Sequence, residues 1–206
     1  MAFFRIGRSS EPAPTVKGDG LYLRPAESGD YFAWRNVREQ SHDFLVPWEP
    51  TWPSDDLTRG AFSRRLRRQA EEMSRDEAYP FMIFRQGDHA LIGGITIGGI
   101  RRGVAQTATF GYWMGATYAR RGYMTRAVAA AVGFSFSNLR LHRLEAACIP
   151  TNIASARLLE RNGFRREGLA RAYLRINGEW RDHLLFALVD TDVAPRTGLF
   201  SEPRIG

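Results

Sequence analysis

Gly111-Tyr112-Trp113-Met114, followed by Ala119-Arg120-Arg121-Gly122-Tyr123-Met124-Thr125-Arg126-Ala127, is the stretch that decides how this chain is read. Thr107 to Met114 has the alternation of a strand. A basic, glycine-containing loop follows. Val128, Ala131, Val132 and Phe136 then recur on one side of a helix predicted from Gly122 to Asn138. A strand that passes through such a loop into a helix makes an anion site. The first backbone N–H groups of a helix have no partner within it, and the helix dipole adds about half a positive charge there. Gly122 removes a side chain where a phosphate must come close, and Arg120, Arg121 and Arg126 add Coulombic attraction. The same pattern also fits an ordinary strand–loop–helix corner.

Working outward, Asn152-Ile153-Ala154-Ser155 and Leu158-Leu159-Glu160-Arg161-Asn162-Gly163-Phe164 lie about thirty residues further on. Between the two motifs, Leu144 to Ile149 reads as a buried strand. Pro150-Thr151-Asn152 breaks it, a short helix runs to Arg161, and Asn162-Gly163 stops that helix. Phe164 to Ile176 and Trp180 to Val189 form a hairpin closed at Asn177-Gly178.

Upstream, Leu21 to Arg24 is a short strand ending at Pro25. Ser28 can cap a helix to about Gln40, with Tyr31, Trp34 and Val37 on its apolar face. Three prolines between Phe44 and Pro53 argue against a regular helix there. Ser54 or Asp55 can cap a second helix to about Ser74, with Leu57, Ala61, Leu66 and Ala70 as its stripe. Pro80–Arg85, Ala90–Ile100 and Thr107–Met114 then suggest an antiparallel meander. The order β-α-α-β-β-β-α-β-α-β-β makes a mixed α/β domain. Residues 1–19 read as an N-terminal arm, 20–190 as a single domain and 191–206 as a C-terminal tail.

The bulk composition narrows the function. The chain has 206 residues, 44% of them hydrophobic, which suits one domain with a full core. No apolar run approaches a bilayer span, and Met1 to Ile6 does not read as a signal peptide. Cys148 is the sole cysteine, so neither an intrachain disulfide nor a cysteine zinc cage can form. His42, His89, His142 and His183 show no metal spacing, and no metal is assigned. These features point to a cytoplasmic protein. The net charge of +7 raises nucleic acid as a partner, but only Arg64-Arg65-Leu66-Arg67-Arg68 is dense, so direct nucleic-acid binding is not the favoured reading.

The two motifs, in this order and at this separation, resemble the GCN5-related N-acetyltransferases (the GNAT family). They look most like its RimJ/RimL branch, which acetylates ribosomal-protein N-termini. The resemblance runs from Leu21-Tyr22-Leu23-Arg24-Pro25 to Leu184-Leu185-Phe186-Ala187-Leu188. It implies a centrally splayed sheet of about seven strands flanked by about four helices. It also implies acetyl-CoA as cosubstrate and direct attack by an amine, without an acyl-enzyme. Trp113 and Met114 would meet the pantetheine arm, and Arg120, Arg121, Gly122, Tyr123, Met124 and Thr125 the pyrophosphate. Asn152 and Ser155 would complete the cofactor site.

The departures from the family pattern are specific. Ala119 stands where the loop usually begins with Gln or Arg, and Leu159 where many members carry a tyrosine acid. Ser155 is the natural replacement acid, because a hydroxyl can support departure of the CoA sulfur as a thiol. Its other reading is satisfaction of helix-start N–H groups beside an Asn152 cap. Thr109 occupies the position of a glutamate common in relatives, which leaves Glu145, Glu49 or a water relay as base. Cys148 reads as an inert buried thiol. Phe44, Trp48 and Trp52 are candidate acceptor contacts or simple packing beneath a loop. The acceptor is read as an Ala- or Ser-starting ribosomal-protein N-terminus. A polyamine, amino acid or aminoglycoside is the enzyme alternative. A CoA- or ribosome-binding module without catalysis is the third, and an exposed edge or aromatic surface is a candidate for homodimer formation.

Overall fold

The computed structural model describes residues 14–193. Residues 1–13 of the expected arm and 194–206 of the expected tail lie outside the described residues. A single eight-stranded sheet runs through the molecule: β1 (Val16–Gly18), β2 (Leu21–Arg24), β3 (Tyr79–Arg85), β4 (Leu91–Arg101), β5 (Thr107–Met114), β6 (Arg143–Cys148), β7 (Arg165–Ile176) and β8 (Glu179–Val189). Its order is β1-β2-β3-β4-β5-β6-β8-β7. The eighth strand is β1, which falls in the stretch read as an arm and pairs with β2.

Five α-helices accompany the sheet: α1 (Tyr31–Gln40), α2 (His42–Leu45), α3 (Arg59–Ser74), α4 (Tyr123–Ser137) and α5 (Ile153–Arg161). The extra one is α2, a single turn that leads into a 3-10 turn at Val46–Trp48 with Pro47 near its start. Proline is tolerated there because the first N–H groups need no helical partner. Two helix starts differ from the sequence reading. Ser28 lies in a 3-10 turn closed reciprocally by Glu27 and Asp30, and Asp30 precedes α1. The start of α3 moves to Thr58, whose hydroxyl accepts from the Ala61 N–H. The expected stripe on α3 also shifts: Phe62 is its buried residue, packed on Tyr31 and Trp34.

One break in this sheet positions the site. β5 and β6 form the parallel pair, joined through α4, and they are in register only from Thr107–Arg143 to Phe110–Ala146. Beyond that point β5 stays with β4 as far as Met114, while β6 stays with β8 as far as Cys148. The sheet therefore splits into two halves. Strand alternation fixes what lines each face of the gap. Phe110, Tyr112, Met114, Ala146 and Cys148 lie on the face packed by α4 and α5. Trp113 belongs with the cluster of Trp34, Val37 and Phe62 on the opposite face, under α1 and α3. That second face is left uncovered over Thr109 and Gly111, both exposed.

Candidate active site

The loop before α4 has the backbone that an anion site requires. Gly122 is the residue before the helix and adopts φ 75° in the left-handed region. A Cβ there would meet no atom within 4 Å, so the requirement for glycine is conformational and the space above it is open. Arg120 also has positive φ, at 61°. No side chain caps α4, and its first helical bond runs from Arg126 N to Gly122 O at 3.2 Å. The amides of Tyr123, Met124 and Thr125 therefore precede the hydrogen-bonded ladder.

Arg120 and Arg121 are exposed beside this turn, and the Arg126 guanidinium sits 4.8 Å from the centre of the Tyr123 ring. The side chains of Met114 and Met124 are buried in the core, which leaves backbone as what they can offer a ligand. Trp113 lies against Gly94, where an added Cβ would be 2.4 Å from the indole Nε1.

Across the gap, the Asn152 side chain caps α5 by accepting from Ser155 N at 3.1 Å. The two jobs that sequence could not separate are thereby divided: Asn152 serves the helix end, and the Ser155 hydroxyl is held elsewhere. Ser155 Oγ lies 2.7 Å from the Tyr112 hydroxyl. Burial pushes the Tyr112 phenol well above its ordinary value. Cys148 is buried on the same face, and desolvation raises its thiol against a smaller lowering by Ser155. Leu159, the position of the usual tyrosine, is 0% exposed and belongs to the core.

The two carboxylates behave differently. Glu145 is level with Thr109 at the point where β5 and β6 begin to part, on the face opposite Ser155. It accepts from Arg143 at 2.9 Å and faces Arg101 at 3.5 Å. Both oxygens of Glu49 are taken. Arg38 donates to each at 2.7 Å, and Trp52 Nε1 adds a third bond at 2.7 Å.

Arg38 is 6% exposed, stacks 4.0 Å from the Trp52 ring centre and lies 5.0 Å from that of Trp113. The backbone carbonyl of Glu49 also accepts from Asn177 N at 2.9 Å, so the loop reaches the tip of the β7–β8 hairpin. Of the three aromatics, Trp52 is half-buried in this cluster, whereas Phe44 and Trp48 point outward at 43% and 37% exposure. The basic run on α3 is largely neutralised: Arg64 pairs with Asp55, Arg65 with Asp56, and Arg68 with Glu72.

Arg38 and Tyr112 are the residues that sequence reasoning passed over. Arg38 stands four residues after Trp34, on the buried face of α1. Tyr112 alternates with buried Phe110 and Met114, so its hydroxyl needed an internal partner.

A sheet split at one parallel pair, with an uncapped helix start on one side and a serine-bearing helix on the other, is an architecture this chain shares with solved acetyltransferases. The acetyltransferase (GNAT) domain matches residues 20–165, and the chain belongs to that family. It is an acetyl-CoA-dependent N-acetyltransferase. Probable N-acetyltransferase YjcK of Bacillus subtilis (strain 168) is 36% identical over 177 residues, covering 86% of this chain and 98% of its own. The ribosomal protein uS5-alanine N-acetyltransferase of Escherichia coli (strain K12) is 31% identical over 188 residues, covering 91% and 97%. Among solved structures, Mycobacterium smegmatis RimJ in complex with CoA-disulfide superposes with a TM-score of 0.82 at 31% identity, with 89% of each chain covered.

Proposed function

We propose that this enzyme acetylates the α-amine of a protein N-terminus, with an Ala- or Ser-starting ribosomal protein as the acceptor. The observation that carries the reading is the near full-length likeness to the uS5-alanine acetyltransferase. The uncovered face over Thr109 and Gly111, beside Trp113 and Glu145, supports it, because an extended peptide can lie there. A cytoplasmic setting follows from such an acceptor. Among the described residues no helix is long and apolar enough to cross a membrane.

In this reading acetyl-CoA supplies the activated acetyl group as a thioester. The backbone from Arg120 to Thr125 holds its pyrophosphate, and the free edge of β5 from Gly111 to Met114 holds its arm. The acceptor nitrogen forms a bond to the acetyl carbon as the carbon–sulfur bond breaks. Ser155 donates a proton to the departing sulfur and regains one from solvent. The amine's surplus proton passes to water. An α-amine has an ordinary pKa of about 7.7–8.0, so a fair fraction is already neutral at pH 7. Glu49 is committed to Arg38 and Trp52, which argues against it as base. Glu145 sits on the acceptor side but is held by Arg143 and Arg101, so the proton is not assigned to it either.

The test is thiol release from acetyl-CoA with a panel of N-terminal peptides and small amines. Turnover with Ala- and Ser-starting peptides is expected. Turnover confined to small amines would replace the acceptor class. Ser155→Ala should lower kcat by roughly 10²-fold, and a change below about threefold would reject its role as acid.

A further inference from the structure

We propose that Tyr112 is the positioning residue of this reaction: it donates its hydroxyl proton to Ser155 Oγ and so aims the Ser155 proton at the departing sulfur. The proposal rests on the reading of Ser155 as acid. Three observations carry it. The hydroxyls are 2.7 Å apart, a normal O–H···O distance. The capping duty that would otherwise claim Ser155 is performed by Asn152 Oδ1. The contact also joins the two parts of the split sheet: Tyr112 lies beyond the last β5–β6 pair, and Ser155 lies in the first turn of the helix that follows β6.

Direction decides the chemistry. A hydroxyl carries one proton and two acceptor sites. If Ser155 gave its proton to Tyr112, none would remain for sulfur. If Tyr112 donates, the Ser155 proton is free to turn into the gap, and its oxygen is better able to release it. Tyr112 keeps its proton because burial disfavours the phenolate. Ser155 is then a stronger and better-aimed donor than a free serine at a helix start.

The experiment is a kinetic cycle of Tyr112→Phe, Ser155→Ala and the double variant in the full chain. Acetyl-CoA binding is followed by calorimetry, and folding by thermal melting. Phenylalanine keeps the ring and removes only the hydroxyl, so the packing on the core survives. Tyr112→Phe should lower kcat about tenfold, leave acetyl-CoA affinity within twofold, and add nothing in the Ser155→Ala background. A Tyr112→Phe kcat within twofold of the parent would overturn the proposal. So would losses that multiply in the double variant, which mark a role in packing. If Ser155→Ala itself stays within threefold, the acid reading falls first, and that outcome is visible from the single variant alone.

Discussion

Gly122 and Ser155 lie on opposite sides of the gap in the sheet and carry different kinds of information. Gly122 acts through backbone: at φ 75° any other residue strains the turn that presents the amides of Tyr123 to Thr125. Gly122→Ala should cost about 1–2 kcal/mol of stability. It should also raise the acetyl-CoA KM on the order of tenfold, with kcat at saturation little changed, because the Cβ projects into the open space where the proposed pyrophosphate would lie. Steady-state kinetics with varied acetyl-CoA checks the split. The local setting of both residues is legible in the sequence: a glycine loop before a helix, and a hydroxyl three residues after a cap. Those of Tyr112 and Arg38 are not. Their partners, Ser155 and Glu49, lie 43 and 11 residues away, and only the folded sheet brings each pair together.

Among the elements, the loop between α2 and α3 shows how a charged pair can organise irregular chain. Arg38 and Glu49 are mostly buried, and each oxygen of Glu49 has a defined donor. Removing one member leaves the other charged and desolvated, at a cost of roughly 3–5 kcal/mol. Glu49→Ala should therefore lower Tm by about 6–20 °C, since 1 kcal/mol moves a chain of this size by about 2–4 °C. It should also weaken the acceptor KM through the freed Trp52. An effect limited to kcat at low pH, with Tm unchanged, would instead mark Glu49 as a base. The order of helices and strands was readable from periodicity, whereas two helix starts were not. Ser54, Asp55 and Thr58 are all plausible caps in isolation, and α3 begins where Phe62 can reach Tyr31 and Trp34. The strand β1 was hidden because three residues, Val16 to Gly18, are too few to show alternation, and their partner is β2.

For the whole molecule, the densest basic run offers little free charge, because Arg64, Arg65 and Arg68 on α3 are paired with acids. Arg120 and Arg121 remain exposed at the start of α4, where a polyanionic cosubstrate would gain most. Acetyl-CoA at a hundred times its Kd should stabilise the fold by about 2.7 kcal/mol, a rise in Tm of about 5–11 °C. High salt should weaken that shift through Kd, and a Tm indifferent to acetyl-CoA would contradict the placement of the site.

The bond from Asn177 N to the Glu49 carbonyl gives the molecule one more property. Glu49 stands in the loop between α2 and α3 and Asn177 at the tip of the β7–β8 hairpin, so two segments far apart in the chain are stapled together through main chain alone. Such a staple survives any change of side chain at either position, so the loop and the hairpin tip should shift together or not at all.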